Sequence, residues 1–380
     1  MKIGIVRETR AGETRIAATP ETVKKLISGK HSVLVEAGAG AGAHIPDADF
    51  IAAGAQVVAG SEVYAQSGML FKVRPPQADE VAQMKSGQVL IGTLNRFDAA
   101  GLELLAKQGV TGFALEAAPR ISRAQSLDVL SSQANLGGYM AVLTAATHYP
   151  KVMPMFMTAA GTVKAARAVI MGVGVAGLQA IATAKRLGAM VEATDVRPDT
   201  KEQVESLGAK FIEVPLTDSE KELAKGQGGY AKEMGDDFKQ RQAILIAERI
   251  KQADIVITTA LIPGRPAPVL VTEAMVKTMK PGSVIVDIAA GKGPGANGQM
   301  TGGNCPLSQA DQTVVRHGVT IVGETNLPAL LAADASALYA RNVLDFLKLV
   351  LTKEAAFNVP MDDDIVAACL MTQSGEVKRK

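Results

Sequence analysis

The chain has 380 residues, enough for two or three domains, and 47% of them are hydrophobic, so sizeable cores can form. A net charge of +2 with acids and bases interspersed implies neither nucleic acid nor an anionic membrane, and 4% aromatic content without tryptophan argues against base-stacking surfaces. The two cysteines, Cys305 and Cys369, lie far apart, and with four scattered histidines they point away from a metal site.

In chain order, MKIGIVRETR opens as a strand from Lys2 to Val6 rather than as a secretory signal, so a cytoplasmic location is the default expectation. Pro20 to Lys30 predicts a helix with Thr19 as its N-cap. Ser32 to Val35 is a strand and Asp47 to Ala53 a helix. Gln56 to Val58, Met69 to Val73 and Val89 to Gly92 read as further strands, Ala99 to Gln108 as a helix, and Gly112 to Leu115 as a strand. Strands alternating with helices suggest a parallel sheet. Val129 to Pro150 carries no charge, yet its serines, threonines, Gln133, Asn135 and Gly137-Gly138 are wrong for a lipid-facing span. It reads as a buried helix that carries the chain from one domain into the next.

The strongest signal lies between Arg167 and Arg197. An apolar run, Ala168 to Met171, leads directly into Gly172-Val173-Gly174-Val175-Ala176-Gly177, which has the form G-x-G-x-x-G. A helical stretch to Leu187 and a second strand, Met190 to Thr194, end at Asp195. Gly172 permits the tight turn, Gly174 lets a pyrophosphate approach the backbone, and Gly177 lets helix and strand pack closely. Free N–H groups at the helix start attract the phosphates. Asp195 can accept from the adenosine ribose hydroxyls and would repel a 2'-phosphate, which favours NAD over NADP, with Arg197 close by. The whole strand–loop–helix–strand–acid unit outweighs a generic glycine-rich turn.

Beyond it, Thr200 to Leu207 is helical and Pro215 to Asp237 is too long and glycine-marked for an ordinary connection. Helices at Phe238 to Lys251 and Thr272 to Met279 precede strands at Ile255 to Thr259 and Ser283 to Asp287. Gly291 to Gly303 reads as a loose glycine-rich loop, Val319 to Val322 as the last strand, Ala332 to Leu351 as a long helix, and the tail to Lys380 carries little signal. The loop ALIPGRPAP at a strand's carboxyl end fits a ligand wall or a rigid turn equally well. In PRISRAQSLD, Arg120, Gln125, Asp128 and the following Ser131 are suited to lining a cleft; from spacing alone, helix capping by Ser126 or Asp128 is slightly favoured. An alcohol or amine dehydrogenase needs a general base beside the hydride donor. The strand ends at Gly92–Arg96 and Ile288–Lys292 offer neither histidine nor acid.

The runs PRISRAQSLDVLSSQANLGGY, GVGVAGLQAIATAKRLGAMVEATDVR, GGYAKEMG, ITTALIPGRPAPVLVTEAMVKTMKPGSVIVD and GGNCPLS resemble the NAD(H)-binding component, domain I, of proton-translocating nicotinamide nucleotide transhydrogenase. The fold is similar to that of alanine dehydrogenase, whose N-terminal pattern with Arg15 is shared. The resemblance implies two doubly wound parallel-sheet, Rossmann-like α/β domains linked by long helices: residues 1–130 with about 325–380, and an NAD-binding domain at about 131–324. It implies direct hydride transfer between NAD(H) bound here and NADP(H) bound on a partner domain, which explains the missing acid–base pair.

Under that resemblance Arg120, Ile121, Gln125, Asp128 and Ser131 hold the nicotinamide end, and Tyr230 closes over the nucleotide. Gly172, Gly174, Val175, Gly177, Asp195 and Arg197 take the pyrophosphate and adenosine half, and Gly229, Gln242 and Leu261 make further nucleotide contacts. The implied assembly is a homodimer joined by NADP(H)-binding and membrane-spanning subunits, cytoplasmic and peripheral to the inner membrane, with neither metal nor nucleic acid. The segment AAGKGPGANGQMTGGNC is longer than the family's usual link. Retained Arg15 and Lys72 keep an alanine-type amino-acid dehydrogenase as the alternative, beside a non-catalytic NAD-binding module.

Overall fold

The computed structural model describes residues 1–197, 199–215, 236–352 and 356–378. The chain divides into two compact units, Met1–Gln133 with Pro328–Lys380, and Ala134–Leu327. In the first unit the strands are β1 (Lys2–Ile5), β2 (Ser32–Glu36), β3 (Gln56–Val58), β4 (Met69–Phe71), β5 (Val89–Gly92) and β6 (Thr111–Ala114). They lie parallel in the order β3-β2-β1-β4-β5-β6, with the reversal of winding between β1 and β4. This is the doubly wound arrangement. Helices start where the local chemistry supplies a cap: Thr19 caps the Pro20–Ser28 helix in a capping box with Thr22.

The second unit holds β7 (Phe156–Thr158), β8 (Gly161–Val163), β9 (Arg167–Met171), β10 (Met190–Thr194), β11 (Lys210–Phe211), β12 (Ile255–Thr258), β13 (Val284–Asp287), β14 (Thr313–Arg316) and β15 (Val319–Val322). Seven of them form one sheet in the order β11-β10-β9-β12-β13-β15-β14, parallel but for β14. Both faces are covered. Ala168 and Ile170 of β9 with Ile255 and Ile257 of β12 enter one apolar cluster. Val169, Met171 and Val256 enter the other. Period-two alternation explains why these strands read as unbroken apolar runs: each face has its own core.

Four sequence expectations are corrected. The tail is structured: β16 (Leu370–Gln373) pairs antiparallel with β6, and β17 (Glu376–Val377) follows it. Thr372 fixes that pairing by accepting from Gly112 N at 3.0 Å and donating to the Val110 carbonyl at 2.8 Å. The helix expected at Thr272 to Met279 is only Glu273–Val276, capped by Thr272. The Gly291 to Gly303 segment is cross-linked rather than loose: Gly293 bridges Gly302, and Ala296 N donates to the Pro306 carbonyl at 3.0 Å. The β7–β8 hairpin had no sequence signal, because its strands are three residues long and fully exposed.

Candidate functional site

In the second unit, winding reverses between β9 and β12, so the loops after these strands diverge at the carboxyl edge of the sheet. Ligands of open α/β sheets bind at that place. The loop after β9 carries the three glycines, and each meets a different constraint. Gly172 has φ +98°, a conformation that strains an L residue. A Cβ on Gly177 would lie 1.9 Å from the Gly172 carbonyl oxygen, so only glycine lets the helix start against the turn. A Cβ on Gly174 would meet nothing within 4 Å: the backbone there faces open space. The Val175–Arg186 helix begins at once after Gly174, with no side-chain cap, so its first N–H groups point toward that space.

Asp195, following β10, closes the other side. Its Oδ2 accepts from Val173 N at 2.6 Å and from Arg197 Nη2 at 3.0 Å; its Oδ1 accepts from Arg197 N and Nε, both at 2.9 Å. Burial pushes the carboxyl upward, but the donations from Arg197 and Val173 outweigh it and hold Asp195 below its ordinary range. Thus Gly172, Gly174, Val175, Gly177, Asp195 and Arg197 come together around one loop. Val175 is partly exposed beside it.

The loop after β12 forms a further wall. Thr259 Oγ1 donates to the Gly172 carbonyl at 3.1 Å, tying this loop to the glycine turn, and Leu261 and Ile262 beyond it are exposed. Ala260 is held by Asn304, which the sequence offers only within the run GGNC. Asn304 is fully buried; its Oδ1 accepts from Ala260 N at 3.0 Å, and its Nδ2 donates to the Ala260 and Pro268 carbonyls at 2.9 and 2.8 Å. Behind it, the buried Asp287 accepts from Thr258, Ala289, Asn304, Cys305 and Ser308. A polar residue between glycines and a cysteine was the available signal. Gln242 stands half-buried on the Asp236–Gln252 helix. Gly229 and Tyr230 lie outside the described residues.

The first unit holds the other candidates. Arg120, Ile121 and Gln125 are exposed, the last on the 3-10 turn Ser122–Leu127. Asp128 caps the Val129–His148 helix: it accepts from Ser131 N at 2.9 Å and from Ser131 Oγ at 2.6 Å. The capping expected from spacing is therefore made by Asp128 and Ser131 together, while Arg123 pairs with Asp363 and Asp364. Lys72 is buried against Glu80 at 2.7 Å and Glu8 at 3.4 Å. Arg15 is held by Glu13 through Nε and Nη2 and by Gln133 through Nη1. Burial pushes the Glu8 carboxyl up despite the pull of Lys72. Glu116, at the end of β6, is likewise pushed up by burial while accepting from Leu94 N and Arg96 N.

Comparison with known proteins agrees with this architecture. Residues 4–137 match the N-terminal domain, and residues 141–380 the C-terminal domain, of the family described as alanine dehydrogenase/PNT. The chain is 50% identical over 385 aligned positions to a NAD(P) transhydrogenase subunit alpha of Rhodospirillum rubrum, covering 99% of this chain and 97% of that one. It is 30% identical to alanine dehydrogenase of Bacillus subtilis, over 99% of this chain and 92% of that one. The crystal structure of transhydrogenase from Sinorhizobium meliloti superposes with a TM-score of 0.88 at 46% identity, covering 99% of this chain and 100% of that one. With both halves matched in the same order around a glycine loop that ends beside an acid, the chain belongs to the alanine dehydrogenase/PNT family.

Proposed function

We propose that the chain is the NAD(H)-binding subunit of a proton-translocating transhydrogenase, passing hydride directly between NAD(H) held here and NADP(H) held on a partner domain. The carrying observation is the glycine loop, open at Gly174 and flanked by Asp195, in a chain half identical to a transhydrogenase subunit over nearly its full length. These residues fit a dinucleotide: open backbone and a helix N-terminus suit the pyrophosphate, and a carboxylate at the next strand end suits the ribose diol. Bound NAD(H) supplies the hydride chemistry. This chain's residues bind and orient: Gly172, Gly174, Val175 and Gly177 take the pyrophosphate, Asp195 and Arg197 the adenosine half, and Gly229, Gln242 and Leu261 the remainder. Arg120, Ile121, Gln125, Asp128 and Ser131 orient the nicotinamide end, and Tyr230 excludes water from it.

The same proposal makes the protein a homodimer, peripheral to the inner membrane through membrane-spanning partners. The β7–β8 hairpin supports an oligomer: Met155, Phe156, Met157 and Val163 are exposed on it together, an apolar patch suited to a protein neighbour. No helix among the described residues is long and apolar enough to cross a membrane, so the proton path is assigned to partner chains. The alternative, an alanine-type dehydrogenase, requires Arg15 and Lys72 to receive a substrate carboxylate, and here both are paired with the protein's own acids.

The deciding experiment mixes the purified chain with the NADP-binding partner subunit and follows hydride transfer from NADH to an oxidised NADP analogue. Transfer that requires both proteins is expected. Both nucleotides bound with no transfer leaves only a binding module, and turnover of alanine or pyruvate by the chain alone moves the reading to an amino-acid dehydrogenase.

A further inference from the structure

We infer that Asn304 is a positioning residue of the nucleotide site, its single side-chain amide fixing the 260–268 wall against the glycine loop. The inference rests on the dinucleotide reading proposed above. β12 ends at Thr258, and the chain then leaves the sheet through a stretch with prolines at 263, 266 and 268, which lack N–H donors. Ala260 therefore has no ladder partner. The Asn304 amide replaces one: its oxygen takes the Ala260 N–H while its nitrogen gives one hydrogen to the Ala260 carbonyl and one to the Pro268 carbonyl. Every hydrogen-bonding group of the amide is used. Both ends of the wall are thus tied to one buried point.

That point is itself fixed. Asn304 N donates to Asp287 Oδ1 at 3.3 Å, and its carbonyl accepts from Leu270 N and Val271 N at 2.8 and 3.0 Å. On the other side of Ala260, Thr259 grips the Gly172 carbonyl. A polar line therefore runs from the end of β13 through Asn304 to the first glycine of the phosphate loop. Only an amide serves here. An aspartate accepts from Ala260 N but offers no donor to the two carbonyls, and an ionised carboxylate would face both of them in a buried place.

The test compares Asn304→Asp and Asn304→Ser with the parent protein by NADH titration at pH 8 and pH 6, thermal unfolding, and amide hydrogen exchange over 259–270 without nucleotide. In Asn304→Asp the new carboxyl lies near Asp287, with Arg265 exposed on the wall and Cys305 adjacent, whose thiol burial pushes up to about 12 and keeps neutral throughout. Its NADH affinity is expected to fall at least tenfold at pH 8 and to recover several-fold at pH 6, where the protonated acid regains one donor. Asn304→Ser keeps the fold testable should the acid unfold it: a threefold or greater loss that is equal at both pH values, with faster exchange at Ala260, is expected. A purely structural role predicts lowered melting with parent-like affinity in the folded variants, and that result overturns the inference alone. A parent chain that binds no NADH overturns both this inference and the dinucleotide reading beneath it.

Discussion

Gly174 and Gly177, in the same loop, should fail in opposite ways. At Gly177 an added Cβ lies 1.9 Å from the Gly172 carbonyl oxygen, far inside van der Waals contact. The helix and the turn must separate by roughly 1 Å, an overpacking that costs about 1–3 kcal/mol. For a unit the size of Ala134–Leu327 this lowers the melting temperature by about 2–12 °C. At Gly174 an added Cβ meets nothing within 4 Å, and the backbone, at φ −81° and ψ −165°, suits alanine. Gly174→Ala should therefore melt within about 2 °C of the parent, since glycine-to-alanine at a helix N-cap changes little. Its methyl nevertheless fills the space through which a pyrophosphate reaches the helix N–H groups. Loss of that approach should weaken NADH at least tenfold, about 1.4 kcal/mol. The assays are thermal unfolding and equilibrium titration of NADH fluorescence. A Gly174→Ala protein that binds NADH like the parent, or a Gly177→Ala protein that keeps its melting temperature, refutes the argument.

Asp195→Asn should weaken NADH about tenfold and narrow the preference over NADPH, because the ribose acceptor loses its charge; isothermal titration with both nucleotides reads this. Because Asp195 is held below its ordinary range, its contribution to stability is present above about pH 4 and lost as pH falls through its native value. The Asp195→Asn protein should accordingly show a shallower acid-side loss of melting temperature than the parent. Lys72→Met strands Glu8 and Glu80 in the core and should cost about 3–5 kcal/mol at pH 8. It should cost less at pH 5, where those acids take protons, and leave NADH affinity unchanged; urea unfolding at both pH values checks it. Thr372→Val removes a buried hydroxyl that links Gly112 and Val110, so chemical denaturation should show a loss of about 1–3 kcal/mol.

The apolar runs at Ala168–Met171 and Ile255–Thr259, the capping threonine at 19 and the glycine spacing at 172–177 carry their structure in local chemistry, and they were legible for that reason. Strand period, helix caps and glycine conformations are decided within a few residues. Thr111–Ala114 and Val284–Asp287 were placed within a residue or so by the same logic. The tail strand Leu370–Gln373 was not legible, because nothing local distinguishes it; its pairing with β6 is made by residues some 260 positions away. The Gly291–Gly303 segment looked loose since glycine signals freedom, and only partners outside it, such as Pro306 and Ala267, show it to be tied.

By itself, then, the sequence determined the doubly wound α/β class, the phosphate loop and the acid that closes it. The tertiary structure alone decided that Gly174 faces open space while Gly177 does not, that the Asp128 carboxylate is taken up by Ser131, and that one buried asparagine holds the wall beside the loop. The division follows from range: dihedral preference and periodicity act between neighbours in the chain, whereas room for a ligand and the satisfaction of buried polar groups depend on residues that meet only after folding.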